Sequence, residues 1–207
     1  MNRLLKKLTL AGVAVALAFT TCATFAQRIY TVQGGRTTVT LSNAFLADLA
    51  DLAALKITPT AMYGSQLYAN QVFFPIAGGE ISLDTAGGQI LHSGGILLTA
   101  GTKQVRPQSF ILTTNGEQPY ISALVVANDK LIGRINLFDV ELPSTLTLPI
   151  VPHSGDLFLS GLKLNLDPAG AAALNDGLGV KTFEDNLYMG YALSLALVPD
   201  SADTVTK

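Results

Sequence analysis

The chain has 207 residues, which is enough for one domain with a sizeable hydrophobic core. Three of its 13 basic residues lie in the first seven positions and all 15 acidic residues lie beyond position 47, so the rest of the chain carries five more acids than bases. A mildly acidic chain without a basic cluster argues against nucleic acid as a partner.

The N-terminus has the three parts of an export signal. A positive segment at 1–7 precedes the uncharged apolar run 8–20, and Thr24-Phe25-Ala26 places small residues at the positions that a signal peptidase reads. We predict a signal peptide at 1–26. The apolar run is too short for a membrane span, so we expect an exported protein in the periplasm, outside the cell or on its surface.

The only cysteine, Cys22, lies inside this predicted signal. Its removal would leave an exported chain without disulfides, whose stability must come from the core. A lipid-modified Cys22 is the alternative that remains open. Thr21 before it is a poor match to that motif.

The first part of the predicted domain combines strands with one helix. Gly34-Gly35 indicates a turn after a short extended lead. Ser42 is a natural N-cap for the amphipathic helix that follows, because its side chain can accept from a backbone N–H of the first turn. The predicted elements are the lead 27–32, the strand 37–41, the helix 43–54 and, after a turn at Tyr63-Gly64, the strand 66–75.

The middle of the chain is predicted to be a meander of antiparallel strands. Alternating apolar residues are interrupted by the pairs Gly78-Gly79 and Gly87-Gly88, which indicates tight turns. Asn115-Gly116 is the most informative hairpin dipeptide. The strands are predicted near 79–84, 88–92, 95–99, 104–113, 119–127 and 131–140.

The last part repeats the strand–helix pattern. The apolar alternation slips at Gly161, which indicates a bulge. Asp167 as N-cap and Pro168 at the first helical position open a second helix, and Gly179 follows its end. The predicted elements are the strand 156–166, this short helix, the strand 186–199 and a disordered tail at 201–207.

These elements predict a mainly β protein: one antiparallel β-sandwich domain over 27–200, with roughly ten strands and two short α-helices covering its ends. Two internal echoes are present. The strand and helix start at 39–44 resemble 164–169, and His92-Ser93-Gly94 resembles His153-Ser154-Gly155. Either an ancient duplication or the common chemistry of caps and turns would explain them.

Candidate catalytic residues are few. His92 and His153 each precede a serine, but neighbours on a strand point to opposite faces, and no G-x-S-x-G motif is present. Asp139 and Glu141 share a strand face, which is typical of solvated surface charges. No set of three metal ligands is fixed by the sequence. We therefore predict no catalytic site, no metal site and no enzyme activity.

Two segments point to a binding function. The run GQILHSGGILL at 88–98 resembles a segment of the HtaA-type haem-uptake domains of Gram-positive cell surfaces, in which a similar run carries a histidine. The run RIYTVQGG at 28–35 is similar to the N-terminal segment of that family, where a tyrosine precedes Gly-Gly. The resemblance implies a β-sandwich with two short helices, and a tyrosinate ligand to haem iron braced by a histidine, which would be Tyr30 and His92.

Three functions are carried forward. The first is a non-catalytic binding or surface module of the cell envelope, whose ligand is an unknown protein, glycan or haem. The first alternative is a haem-binding module with Tyr30 as ligand and His92 as support. The second alternative, ranked last, is a hydrolase that uses a serine with His92 or His153.

Overall fold

The structure, a computed structural model, describes residues 28–51, 55–60, 67–68 and 70–199. The predicted signal peptide 1–26, the predicted turn at Tyr63-Gly64 and the predicted tail 201–207 lie outside these residues. Within them the chain forms twelve β-strands and two α-helices, which confirms the mainly β class.

The strands that precede the central hairpins are β1 (Ile29–Val32), β2 (Gly34–Leu41), β3 (Leu55–Thr60), β4 (Leu67–Tyr68) and β5 (Gln71–Ser82), with the helix α1 (Asn43–Asp51) between β2 and β3. The central strands are β6 (Gly88–His92), β7 (Gly95–Ala100), β8 (Lys103–Thr113), β9 (Tyr120–Ala127) and β10 (Lys130–Glu141). The last elements are β11 (Asp156–Leu166), the helix α2 (Pro168–Leu178) and β12 (Tyr188–Leu197).

Eight strands close into one antiparallel barrel, in the order β2, β12, β11, β10, β9, β8, β6 and β5, with β5 pairing back to β2. The predicted β-sandwich is therefore wrong in its architecture. β5 pairs with β2 on one side and β6 on the other, which joins what would be two sheets into a ring and leaves none of these eight strands at an open edge.

β7 and β3 extend the sheet away from this ring. β6 and β7 lie along the same side of β8, where Leu91 is opposite Ile111 and Leu98 is opposite Val105. β3 then pairs with the outer side of β7. Pro59, which removes a backbone donor, lies on this outer strand, where the donor is least needed.

Two of the glycine pairs, Gly34-Gly35 and Gly78-Gly79, do not form the predicted turns, whereas a turn does precede β6 at Gly87-Gly88. β1 and β2 run in one line along β5, because Ile29 opposite Ser82 and Arg36 opposite Pro75 belong to the same register. The predicted turn at Gly34-Gly35 is therefore wrong. Gly35 has φ of 118°, and a Cβ there would collide with the Leu195 carbonyl of β12. The glycine permits a close approach of two backbones.

Gly78-Gly79 is a second correction. β5 continues through this pair, and its register with β6 shifts between Ile76 and Gly78. The pair therefore forms a bulge in a long strand, where we had predicted a turn between two strands. The predicted strand 66–75 divides instead into β4 and the start of β5, with Leu67 opposite Val72.

Other local predictions are confirmed. β6 and β11 have the predicted bounds, and Gly161, with φ of 72°, lies where the register of β11 shifts. The Ser42 hydroxyl accepts from the Phe45 N–H at 3.0 Å, and the Asp167 carboxylate accepts from the Ala169 N–H at 2.7 Å.

α2 packs directly against two strands of the barrel. An ideal Cβ at Gly170 would lie 2.6 Å from the Leu137 carbonyl oxygen of β10, and one at Gly177 would overlap the Val105 side chain of β8. Only glycine allows this contact, so the small-residue sequence of α2 fixes its position over the barrel. No helix in the described part of the chain is long and apolar enough to cross a membrane.

Candidate functional site

A cavity of about 70 Å³ lies inside the barrel. Its wall is mostly apolar and includes Val39, Phe110, Leu174 of α2 and Phe183 of the loop after α2. Two hydrogen bonds hold Phe183 in place, since its carbonyl accepts from the Asn175 side chain at 2.7 Å and its N–H donates to that side chain at 3.1 Å. The loop that brings Phe183 to the cavity wall is therefore anchored to α2.

Three polar side chains meet at this barrel interior. His92 and Thr37, both buried, line the cavity, and Ser194 is fully buried beside Thr37. Strand alternation explains their direction, because Gly88, Ile90 and His92 of β6 all point inward. Thr37 and Ser194 are direct cross-strand partners in β2 and β12.

The three groups form a hydrogen-bonded chain. The Thr37 Oγ1 lies 2.7 Å from His92 Nε2 and 3.0 Å from the Ser194 Oγ. His92 Nδ1 lies 3.4 Å from the Phe110 carbonyl oxygen, which can only accept. Thr37 has a single hydroxyl proton, so the tautomer of the His92 ring decides whether Nε2 or the Ser194 oxygen receives it. Both ring nitrogens of His92 have a partner inside the protein.

The His92 imidazole is held neutral. Burial lowers its pKa from 6.5 to about 4, because a charged ring would lose its hydration in the interior. The carbonyls of Phe110 and Ile90 oppose this effect only in part. At neutral pH the ring is thus an uncharged polar group in an apolar wall.

Tyr30 lies elsewhere on the barrel. It is half-buried on β1 opposite Ile81, whereas His92 is on the other side of β5 opposite Ile76. Five residues of β5 separate these two levels, or about 16 Å along the strand. The structure therefore does not bring Tyr30 and His92 together.

His153 is an exposed residue of the turn before β11, where its backbone pairs with that of Asp156. His92 is buried in the barrel interior, whereas His153 lies outside it. Ser93 likewise is not in the hydrogen-bonded chain of His92; the hydroxyl that reaches the ring belongs to Thr37. Among the described residues, no three His, Cys, Asp or Glu side chains converge as metal ligands.

The two acidic residues of β10, Asp139 and Glu141, have different surroundings and opposite pKa shifts. Glu141 accepts from Lys163 at 2.9 Å and from Asn165 at 2.6 Å, and both contacts lower its pKa. Partial burial, with a smaller effect from Asp167, raises the pKa of Asp139. Glu141 is thus an ion-paired surface group.

Comparisons with known proteins show similarity at the level of the fold. The C-terminal domain of HtaA from Corynebacterium glutamicum superposes with a TM-score of 0.62 at 15% identity, over 82% of this chain and 99% of that one. The N-terminal domain of the same protein gives 0.57 at 14% identity, over 82% and 99%. The haem-binding protein HtaB from the same organism gives 0.55 at 10% identity, over 83% and 95%.

The chain has the HtaA-type fold. The resemblance noted in the sequence is thereby confirmed for the fold. No family model matches the chain, and no curated protein matches it.

The described residues do not fit an HtaA-type haem site built from Tyr30 and His92 together. The two side chains lie on opposite sides of β5, and the cavity of about 70 Å³ is far smaller than the roughly 300–1,000 Å³ of small-molecule pockets. A role for either residue in contacting haem stays a prediction.

Sequence reasoning found His92 but missed Thr37 and Ser194. Thr37 belongs to a run of β-branched residues, and the sequence does not show which alternate residues of this run face the barrel interior. Ser194 lies between Ala192 and Ala196 on the buried face of β12. Large residues alternate with these small ones, so an interpretation from hydrophobicity alone would place the wrong face of β12 inside.

Proposed function

We propose that this chain is an exported, non-catalytic binding module of the cell envelope, which takes an apolar group of its ligand into the barrel cavity beside His92. We also propose that residues 27–200 act as one domain after removal of a signal peptide at 1–26. The cavity is the observation that carries the binding function.

The composition of the cavity wall supports this function. Ligand sites are mostly apolar and hold a few well-placed polar groups, and here the polar groups are His92 and Thr37. The volume of about 70 Å³ is about half of the roughly 150 Å³ of an apolar cavity that takes up benzene, so a short alkyl group fits and a ring enters with movement of the wall. A non-catalytic role is supported by the engagement of both His92 ring nitrogens, which leaves no free base at the cavity.

Benzene is a suitable probe, because closed apolar cavities in proteins take it up. We expect benzene to raise the melting temperature of the purified protein and to shift the NMR signals of the His92 ring. Val39→Leu, which adds a methylene to the cavity wall, should reduce both effects. Val126→Leu makes the same change on the outer face of β9 and should leave them intact.

The proposal fails if benzene leaves the His92 signals unchanged at saturation. It also fails if Val39→Leu and Val126→Leu respond alike, because binding would then occur at a site other than the cavity.

Haem is the second candidate ligand, supported by the likeness of the fold to the haem-binding protein HtaB. Haem would require a surface site near Tyr30 or an opened barrel, and Tyr30 is the candidate iron ligand. His92 would act separately, because the register places it away from Tyr30.

A haemin titration followed at the Soret band tests this candidate with the purified protein, Tyr30→Phe and His92→Ala. A sharpened band that is lost only in Tyr30→Phe would establish haem and replace the apolar-group proposal. Additive spectra for all three proteins would remove haem from consideration.

A further inference from the structure

Between Tyr191 and Leu197 the outer face of β12 carries the large apolar residues, whereas Met189 nearer the start of the strand is buried. A strand with one buried and one solvated face normally has its large apolar residues inside. Over Tyr191–Leu197 this order is reversed: the inward residues are Ala192, Ser194 and Ala196, which are all buried. The outward residues are Tyr191 (47% exposed), Leu193 (38%), Leu195 and Leu197 (44%).

The apolar surface continues onto the neighbouring strand. Phe158 of β11 is opposite Leu195, points outward and is 52% exposed. We call these five outward side chains, from Tyr191 to Leu197 on β12 and Phe158 on β11, the β12 patch. A contiguous apolar patch of this kind on a protein surface is a candidate interaction surface.

Opposite charges flank the β12 patch on its two sides. Arg36 of β2 is opposite Leu195, and Asp156 of β11 is opposite Leu197. The Arg36 guanidinium lies over the Phe73 ring at 5.6 Å. Among the described residues, neither Arg36 nor Asp156 takes part in an ion pair.

We propose that the β12 patches of two copies of this chain pack face to face, around a two-fold axis parallel to β12. Such an axis exchanges the two flanks, so β2 of one copy lies over β11 of the other. Arg36 of one copy then faces Phe158 and Asp156 of the second, twice by symmetry. The Leu195 and Leu197 levels are two residues apart, or about 7 Å, which an arginine side chain spans.

A second copy fits this surface because the surface is self-complementary. A partner of one charge would match Arg36 or Asp156 and repel the other, whereas an identical copy matches both. Together with the flanking Arg36 and Asp156, the β12 patch spans three strands and four outward rows, on the order of 300 Å², against about 800 Å² per partner in a standard interface. We therefore expect a weak dimer, which forms toward the upper end of a micromolar concentration series.

Sedimentation velocity over a micromolar concentration series tests the dimer with the purified protein. Leu193→Lys places a charge at the centre of the patch and should raise the dissociation constant at least about tenfold. Leu131→Lys makes the same change at an exposed leucine of the β9–β10 hairpin and should leave the dimer intact. Circular dichroism and melting curves verify that each variant is folded.

Substitutions of the two charged residues distinguish the proposed dimer from a nonspecific apolar association, which would not depend on these charges. Arg36→Asp and Asp156→Arg should each weaken the dimer, because each homodimer then contains two like-charge pairs. An equimolar mixture of the two variants should dimerise again, because both pairs are restored in the mixed dimer. A wild-type monomer throughout the series would overturn the proposal, as would equal behaviour of the two lysine variants or failure of the mixture to dimerise.

Discussion

Two parts of the interior are built in opposite ways. Where α2 meets the barrel, Gly170 and Gly177 let helix and strands approach until no space for a methyl group is left. Around His92, a cavity of about 70 Å³ remains and a chain of hydroxyl and imidazole groups is buried. The first region is closely packed. The second is loosely packed, and its buried polar groups form hydrogen bonds with one another.

The difference separates a region that is stabilised by close packing from the region in which we propose that a ligand group binds. Close packing contributes stability at every contact, while a cavity forfeits contacts along its lining. A protein under selection for stability alone would fill the space beside Phe110. Local departures of this kind concentrate at functional sites.

The largest expected effect is a loss of stability at acidic pH that depends on His92. The unfolded chain takes up a proton on this ring below pH 6.5, whereas the folded chain does so only near pH 4. Stability must therefore fall as pH decreases through this window, by about 3 kcal/mol in total.

Denaturant unfolding at pH 7, 6, 5 and 4 measures this loss. His92→Gln should lack the part of the slope that lies between pH 6.5 and 4. His153→Gln, at the exposed histidine, should keep it. Equal slopes in the two variants would mean that His92 is not the group that titrates.

The α2 contact should resist any added side chain. Gly170→Val would drive a branched Cβ into the Leu137 carbonyl, which is backbone and cannot rotate away, and we expect a loss of about 2 kcal/mol. Ala172→Val places the same side chain on the exposed side of the helix, where only helix propensity is lost, and should cost about 0.6 kcal/mol. Similar losses in both variants would show that the contact is looser than described.

The smallest effect has the opposite sign. Val39→Leu adds a methylene at the cavity wall, and we expect it to raise the free energy of unfolding by about 0.8 kcal/mol. Val126→Leu on the outer face should change it little. A loss of stability in Val39→Leu would contradict the difference in packing between the two regions, since the cavity wall would then be as closely packed as the α2 contact.

Much of the fold followed from local chemistry. The caps at Ser42 and Asp167, the slip at Gly161 and the bounds of β6 and β11 depend on interactions within a few residues, which the sequence displays. Gly34-Gly35 and Gly78-Gly79 were misassigned for a related reason. A glycine pair permits a turn, a bulge or a close approach, and the choice depends on a strand that is distant in sequence.

The site was predictable only in part. His92 was recognised because histidine is rare in this chain and lies in a motif-like run. Thr37 is 55 residues from His92, and Ser194, which bonds Thr37 from the paired strand β12, is 157 residues from Thr37. No local pattern identifies them. The distance between Tyr30 and His92 likewise depends on the register of β5 with two other strands.

By itself the sequence determined the mainly β class, most strand positions and both helix starts, because alternation, caps and glycines act over a few residues. Only the tertiary structure decided that the sheet closes into a barrel, that β12 turns its small residues inward, and that Thr37 and Ser194 meet His92. These outcomes depend on pairing between distant strands, which is set by the packing of the whole interior.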